Sequence, residues 1–419
     1  MEINRSDVAY PRRGPSCLLI LTLLGVMAIG AFLFSQRQFI ATNVLPQPTP
    51  TPTQSPANLA VSAALHVRDG ELDLAIDKYQ EVVRIKPEVR YYIELIRLLG
   101  EAEQPERALE LVEEALELAP DDSAVYEAAA GAHLAYGDAL RAEGDNVGSR
   151  REYAAASEMG DAAADLNPRN VLGKAYMAAG LVRADIANWQ RAGLIARDAQ
   201  QQMEDFVAAG EMSPNDDAIP LVLYHTAEVI TIAGQYNEAA LLLERALDLK
   251  PDFTAASIDL AYIMFNVEQQ NITAIRRLEE ALEENPNDAV LLDTLAQFNI
   301  IGTGDYAAAE QYAKRAVEAN PDMLRAHARL AHAYFKNSNY PSAIEELIIA
   351  TDGYGEPNST TSFYFALLGL ALYFEDAENC AEAEPILRSA LEVSIENSPG
   401  YLNAEEGLRL CREAGFASP

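Results

Sequence analysis

Small apolar residues recur along this chain at a helical spacing, and each recurrence is closed in the same way. One small residue stands near the start of each apolar run, and a second follows seven residues later. The first set is Ala75, Ala108, Ala239, Ala274, Ala309 and Ala343. The second set is Val82, Ala115, Ala246, Ala281, Ala316 and Ala350. Positions seven apart share one face of a helix, so the pattern predicts a series of amphipathic helices.

A proline follows five residues after the second small position in most of these runs. The prolines that close the units are Pro87, Pro120, Pro168, Pro214, Pro251, Pro286 and Pro321, and Gly355 stands in the same place after the last run. Their successive separations are 33, 48, 46, 37, 35 and 35 residues. Because proline disfavours helix at the residue before it, each one marks the end of a unit. A period of this size predicts a helical repeat array.

Two further features recur with the same phase. The preceding helix carries an apolar pair, as in Leu260-Ala261, Leu295-Ala296 and Leu330-Ala331. The turn between the helices carries Gly234-Gln-Tyr236, Gly304-Asp-Tyr306 and Asn339-Tyr340. Together these motifs resemble the tetratricopeptide repeat (TPR) family, whose unit is a helix–turn–helix of about 34 residues. The resemblance implies an all-α fold, a right-handed superhelical solenoid of antiparallel helix pairs.

The array is expected over residues 57–399, followed by a closing helix and tail over 400–419. It comprises about nine units, of which two are elongated, at 121–214. Solenoids of this kind present an extended concave surface that usually holds a partner.

The N-terminal region has a different composition. Residues 18–34 contain no charged side chain, three arginines precede them, and one arginine follows closely. This pattern predicts a transmembrane anchor over 17–35, a cytoplasmic tail over 1–16 and the repeats outside the cytoplasm. A cleaved signal peptide is the alternative. Residues 36–56 are rich in Pro and Thr and are expected to form an extended linker.

Charge narrows the class of partner. The chain has 31 basic and 64 acidic residues, a formal net charge of −33. A strongly acidic protein opposes nucleic acid and anionic membrane surfaces, which are bound by clustered Lys and Arg. We therefore expect no nucleic-acid partner and membrane contact only through the N-terminal helix.

Two cysteines lie in the last part of the array. Cys380 opens the second helix of the last unit, and Cys411 lies near the end of the closing helix. These helices should run antiparallel, which would bring the two thiols together. An oxidising exterior favours a disulfide between them. Two buried free thiols are the alternative.

The sequence carries no recognisable catalytic motif. It has no phosphate-binding loop, no nucleophile elbow and no His pair with zinc-protease spacing. We therefore expect no enzyme activity, no metal site and no cofactor.

In the TPR family, one face of the first helix of each unit lines the concave groove. Carried over by position, the resemblance gives Tyr224, Glu228, Asp259, Tyr262, Asp293, Gln297, Arg325, Arg329, His332 and Lys336. The last four are basic or potentially basic and form one stripe on a single helix. The hypothesis is a site for an acidic or carboxylate-bearing segment, with Tyr262 as a stacking wall. The alternative is that the arginines pair with neighbouring acidic residues of this chain.

The function predicted from these features is a membrane-anchored scaffold that docks protein partners outside the cytoplasm. Two alternatives remain open at this point: a groove that binds cell-wall glycan or a small ligand, and an accessory subunit that positions an envelope enzyme. The sequence identifies neither the protein partner nor the oligomeric state.

Overall fold

The computed structural model describes residues 55–102, 104–142, 144–267 and 269–416. The predicted cytoplasmic tail, the transmembrane anchor and nearly all of the linker therefore lie outside the described residues. Among the residues that are described, no helix is both long enough and apolar enough to span a bilayer. The repeats lie in one compact unit that begins at Leu59.

Over the described ranges the chain is helical and contains no strand. The odd-numbered helices, here called first helices, are α1 Pro56–Arg68, α3 Val89–Glu101, α5 Ser123–Ala142, α7 Val171–Ala184, α9 Ala218–Ile232, α11 Thr254–Asn266, α13 Ala289–Phe298, α15 Leu324–Lys336, α17 Ser362–Glu375 and α19 Pro399–Glu413. The second helices are α2 Leu72–Ile85, α4 Pro105–Leu118, α6 Asn146–Leu166, α8 Trp189–Ala208, α10 Tyr236–Leu249, α12 Asn271–Glu284, α14 Tyr306–Ala319, α16 Tyr340–Tyr354 and α18 Cys380–Val393.

From α2 to α19, each helix packs against its neighbours in the chain. Leu59 and Ala63 of α1 belong to the same core cluster as Ala75 and Ile76 of α2. Several first helices also contact the first helix of the next unit, as α7 contacts α9 and α13 contacts α15. In the described residues this gives nine consecutive helix pairs, closed by α19 against α17 and α18. The arrangement is a TPR-like helical solenoid, in which each pair buries its apolar face between its neighbours.

The small residues that define the repeat are the packing points between helices. All six alanines of the first set are fully buried, as are five of the six residues of the second set; Ala281 is half-buried. The second helices end where the prolines predict. Six of them stop two residues before their proline: Pro87, Pro120, Pro168, Pro251, Pro286 and Pro321. The proline therefore fixes helix length at most joints of the array.

One joint differs from the pattern. Helix α8 ends at Ala208, well before Pro214. Gly210 adopts a positive φ of 70°, and the amides of Gly210 and Glu211 bond back to the carbonyls of Val207 and Phe206. Glycine tolerates this left-handed conformation, which caps the helix and turns the chain before the proline is reached.

The two elongated units pack unusually closely. Helices α5, α6 and α8 have 20, 21 and 20 residues, whereas the other helices, α7 included, have 10 to 15. Between α6 and α7, a Cβ added at Gly160 would lie 2.5 Å from the carbonyl oxygen of Gly173 and 2.6 Å from the amide of Met177. The two backbones are thus in direct contact, and this contact fixes the position of α7.

Replacing Gly160 by alanine should push α6 and α7 apart. We expect Gly160→Ala to lower the free energy of unfolding by about 1–3 kcal/mol, the usual cost of overpacking. Gly193→Ala on α8 is the matched control, because a Cβ there would meet nothing within 4 Å. Alanine also has the higher helix propensity, so the control should be neutral or slightly stabilising. Urea denaturation followed by far-UV circular dichroism measures both; equal stability of the two variants would contradict the close contact.

Candidate functional site

The polar residues of the first helices pair across neighbouring units. In the elongated part of the array, Arg183 on α7 lies between Asp138 on α5 and Glu228 on α9. Its Nη1 donates to Asp138 Oδ2 at 2.7 Å, and its Nη2 donates to Glu228 Oε2 at 2.9 Å. Its Nε also donates to Glu228 Oε1. His225 Nδ1 lies 3.2 Å from Glu228 Oε2. We call Asp138, Arg183, His225 and Glu228 the Arg183 cluster.

Arg183 and Glu228 are largely shielded from water, whereas the Asp138 side chain is 44% exposed. The Arg183 side chain is 9% exposed and that of Glu228 17%. Burial works to raise the pKa of Glu228, but the charge of Arg183 and hydrogen bonds from His225 and Arg183 lower it to about 2. Glu228 is therefore ionised and fully engaged within the protein. The sequence placed it in the groove as a residue that contacts a partner, and the structure gives it an internal role instead.

The next pair along the array is Tyr224 on α9 and Asp259 on α11. Burial, reinforced by the nearby Glu228 charge, raises the pKa of Asp259 to about 7, against the opposing effects of the Arg183 charge and of Tyr224. Tyr224 packs edge-on against His225 and at a tilt against Phe253, with ring centroids 4.9 Å apart in both cases. Asp259 is half-buried. Its carboxyl group thus sits in a partly apolar, aromatic setting.

Farther along, two arginines share one carboxylate. Asp293 on α13 is 3% exposed at its side chain; Arg329 Nε donates to its Oδ1 at 3.3 Å, and Arg325 Nε lies 2.9 Å from its Oδ2. The Arg325 contact is an ion pair without hydrogen-bond alignment. Burial works to lower the pKa of Arg329, but Tyr364 and Asp293 raise it above its usual range. We call Asp293, Arg325 and Arg329 the Asp293 cluster.

The sequence itself explains how Asp293 is placed. Asp288 caps α13 by accepting hydrogen bonds from the amides of Val290 and Leu291 at 2.9 and 3.0 Å. This cap lies two residues after Pro286 and starts the helix at Ala289. Asp293 then faces the two arginines, which are one turn apart on α15. The internal pairing that the sequence left as an alternative is thus present. The two positive charges nevertheless exceed the single negative charge, so the cluster carries a net charge of +1.

Tyr262 and Gln297 lie between the two clusters. The Tyr262 hydroxyl donates to Gln297 Oε1 at 2.9 Å, joining α11 to α13. The Tyr262 ring meets Phe298 edge-on, with centroids 5.0 Å apart. Burial is the main cause of a raised pKa at Tyr262, and Arg329, Asp293, Arg325 and Asp259 all act on it electrostatically. The hydrogen bond and the ring contact therefore hold Tyr262 in place near the Asp293 cluster and Asp259.

The basic stripe predicted on α15 is only partly basic. His332 is buried, and its ring meets Phe363 of α17 edge-on at 5.1 Å. Burial, followed by the positive charges of Arg329 and Lys336, lowers the pKa of His332 to about 3. It stays neutral and serves as a packing residue, so the prediction of a basic side chain there is corrected. Lys336 is exposed at the end of the helix.

The sequence did not identify Asp138 and Arg183 as candidate site residues. Each is separated by 45 residues from the next member of the cluster, Asp138 from Arg183 and Arg183 from Glu228. That spacing is close to the length of the elongated units, so an alignment of those units at their own period would have placed the three side chains in one row.

The two cysteines form a disulfide. Cys380 is the first residue of α18 and Cys411 lies near the end of α19; their Cα atoms are 5.5 Å apart. The bond joins the last unit to the closing helix, and the free-thiol alternative does not apply. In the ranges that the structure covers, no group of three or more His, Cys, Asp or Glu side chains is arranged to hold a metal ion.

Comparison with known proteins gives matches of limited extent. A family model described as ChAPs (Chs5p-Arf1p-binding proteins) matches residues 222–348, less than a third of the chain. No curated protein matches this chain. The similar solved structures YrrB, PilF and Tom70 are all under 25% identical to this chain, so the similarity concerns the fold.

YrrB, described as a TPR protein with an unusual peptide-binding site, is 18% identical, with 48% of this chain and 97% of YrrB covered and a TM-score of 0.36. PilF of Pseudomonas aeruginosa is 16% identical, with 57% and 99% covered and a TM-score of 0.43. Yeast Tom70 is 15% identical, with 87% and 92% covered and a TM-score of 0.33. The repeat pattern and the nine helix pairs in the described residues are those of a TPR-like helical repeat protein, which confirms the resemblance found in the sequence.

Proposed function

We propose that this protein is a membrane-anchored scaffold whose TPR-like array docks protein partners outside the cytoplasm. The array is expected to wind into a right-handed superhelix with the first helices lining its groove. The observation that carries the docking role is the Asp293 cluster, in which two arginines converge on one carboxylate. An internal ion pair needs one arginine; the second gives the cluster an excess of positive charge in an otherwise strongly acidic protein.

The exposed member of that cluster is the one suited to a partner. Arg325 is 39% exposed at its side chain, compared with 13% for Arg329. In the described part of the chain, no hydrogen bond engages the terminal nitrogens of either guanidinium. A guanidinium presents those nitrogens as a planar fork that matches a carboxylate. We therefore propose that Arg325, supported by Arg329, binds an acidic side chain or a C-terminal carboxylate of the partner.

The anchor and the location rest on other observations. Residues 17–35 have the length and lack of charge of a membrane span, with arginines before them. The disulfide between Cys380 and Cys411 supports an oxidising compartment for the repeats, since structural disulfides are rare where thiols are kept reduced. Both features favour the same orientation, with the repeats outside the cytoplasm.

The docking proposal is tested with the full-length chain in detergent and a fluorescent peptide that ends in Asp-Asp with a free carboxylate. We expect Arg325→Gln to weaken binding about tenfold, because a charge-assisted contact with a partner is lost. Arg329 still pairs with Asp293 in this variant, so the fold should be retained. Fluorescence anisotropy gives the dissociation constant, and circular dichroism checks the fold.

Arg276→Gln on α12 is the matched control, since that arginine is exposed and pairs with Glu280 four residues later on the same helix. It should bind the peptide as the unchanged protein does. Raising the salt concentration should weaken binding to the unchanged protein and to the control. Equal affinity of Arg325→Gln and the control would remove the Asp293 cluster from the docking role.

A further inference from the structure

A cleft of about 340 Å³ opens between α6 and α8, the second helices of the two elongated units. Helix α7 packs against both of them and contributes Lys174 and Met177 to the cleft. The volume is at the lower end of the range for ligand pockets in proteins, about 300–1,000 Å³. In the described part of the chain, α6 and α8 are the two second helices with more than 15 residues. The cleft is therefore a feature of the elongated units.

The side chains that line the cleft explain why it is open. Its α6 wall includes Ala164, whose side chain is a single methyl group, and its α8 wall includes Leu194 and Ile195. Helix α6 is held on α7 by the close backbone contact at Gly160, one turn before Ala164. Leu194 is 74% exposed. An apolar group placed in the cleft would remove Leu194 from water, which favours binding.

The charged residues of the cleft give it a preference among apolar groups. Asp161 of α6 is exposed and has no ion pair among the described residues. Lys174 Nζ donates to Asp198 Oδ2 at 2.8 Å and to Gln202 Oε1 at 3.0 Å, so the ammonium group is engaged on the α8 side. Two carboxylates and one paired ammonium group give the cleft a net charge of −1. A positive group of a partner is therefore attracted to Asp161.

We propose that this cleft is a second docking site, which binds an aromatic or long aliphatic side chain of a protein partner that has a lysine or arginine next to it. The apolar side chain packs against Met177 and Leu194, and the neighbouring cation pairs with Asp161. Protein interfaces commonly combine an apolar anchor in a pocket with a polar rim. An acidic residue next to the anchor would face like charge and would be rejected. The cleft thus selects basic segments, whereas the Asp293 cluster is proposed to bind a carboxylate.

The test uses the full-length chain in detergent with isotope-labelled methionine methyl groups. Met177 lines the cleft, so its methyl signal in the nuclear magnetic resonance spectrum reports whether the cleft is occupied, and Met177→Leu assigns that signal. The probes are the capped tripeptides acetyl-Phe-Lys-Lys-amide, acetyl-Gly-Lys-Lys-amide and acetyl-Phe-Glu-Glu-amide. We expect the Phe-Lys-Lys peptide to shift the Met177 signal saturably. The other two should bind about tenfold more weakly or not at all, because each lacks one of the two contacts.

Two variants locate the binding of the Phe-Lys-Lys peptide. Ala164→Leu fills the cleft without changing its charge and should weaken binding about tenfold. Leu194→Ser removes the exposed apolar wall and should weaken it about fivefold. Leu241→Ser on α10 is the matched control, because Leu241 is also an exposed leucine of a second helix, at 61%. It should bind the peptide as the unchanged protein does.

The outcomes are independent of the Asp293 cluster, because the capped peptides carry no free terminal carboxylate. Arg325→Gln should therefore bind the Phe-Lys-Lys peptide with unchanged affinity. Equal affinity of Leu194→Ser and Leu241→Ser would overturn the cleft as a docking site, and so would equal affinity for the Phe-Lys-Lys and Phe-Glu-Glu peptides. Circular dichroism checks the fold of each variant. If Ala164→Leu does not fold, the comparison of Leu194→Ser with its control decides, since both leucines are on the surface.

Discussion

Replacing Arg183 by methionine should lower the free energy of unfolding by about 3 kcal/mol, the lower end of the range for removing one partner of a buried ion pair. Methionine keeps most of the apolar stem but leaves Glu228 without its cation. Asp138 keeps its ion pair with Arg141 and the hydrogen bond from Tyr153. The cost falls mainly on Glu228, because its side chain is the more buried of the two acids. Urea denaturation followed by far-UV circular dichroism measures the change.

Arg197→Met is the matched control. Arg197 also reaches from one unit to the next and holds Glu238 with two hydrogen bonds, of 2.6 and 2.8 Å. Its side chain and that of Glu238 are 40% and 44% exposed, so water can replace the pair. We expect a loss of less than about 1 kcal/mol there. Similar losses of unfolding free energy in Arg183→Met and Arg197→Met would show that burial of the Arg183 cluster contributes nothing to stability.

A second change distinguishes the lost ion pair from lost packing. Adding Glu228→Gln to Arg183→Met removes the uncompensated buried charge, so the double variant should recover part of the lost stability. A double variant that is less stable than Arg183→Met alone would assign the loss to packing.

The Arg183 effect should depend on pH in a defined direction. The pKa of Glu228 in the folded protein, about 2, lies below its ordinary value of 4.5. A carboxyl group with a lowered folded pKa contributes stability that is present above the unfolded value and is lost as the pH falls towards the folded value. In Arg183→Met that contribution is absent, and burial favours the protonated acid. The difference in stability between the two proteins should therefore be largest near pH 7 and shrink below about pH 4.5.

The fold could be predicted from the sequence because its signals are local. Each small residue of the repeat is a contact point between helices, and each proline acts on the residue just before it. The period of these residues therefore predicts the helix pairs directly. Prediction was less accurate where two local signals compete. At the end of α8, Pro214 marks the unit boundary, but Gly210 turns the chain first.

For the candidate site, the sequence could predict only which face of the first helices carries it. Position in the repeat indicates which side chains of a first helix point the same way, but not which partner reaches them from the next unit. Asp293 illustrates this: the repeat placed it on the groove face, and only the structure shows that it holds both Arg325 and Arg329. His332 illustrates the same limit, because the ring that buries it comes from Phe363, a residue outside the repeat pattern. Charge pairing and burial between units are non-local and require the structure.

Reducing the disulfide between Cys380 and Cys411 should destabilise the C-terminal end of the array by about 3–4 kcal/mol in the chain-entropy model. The bond closes a loop with a sequence separation of 31 residues and joins α18 to α19. The closing helix has no following unit within the described residues, so the crosslink replaces the support that inner helices receive from both sides. The loss should be local, because stability in repeat arrays is carried by contacts between neighbouring units.

Hydrogen exchange measures that local effect. After reduction, or in a Cys380→Ala/Cys411→Ala variant, the amides of α18 and α19 should exchange up to several hundredfold faster, while those of α9 and α11 keep their protection. Unchanged exchange in α19 would show that packing alone holds the closing helix.

The disulfide between Cys380 and Cys411 also tests the proposed location of the repeats. In protein taken from cells and alkylated under denaturing, non-reducing conditions, Cys380 and Cys411 should escape labelling if the repeats lie in an oxidising compartment. Labelling of both residues would place the repeats where thiols are kept reduced, and would overturn the proposed orientation of the chain across the membrane.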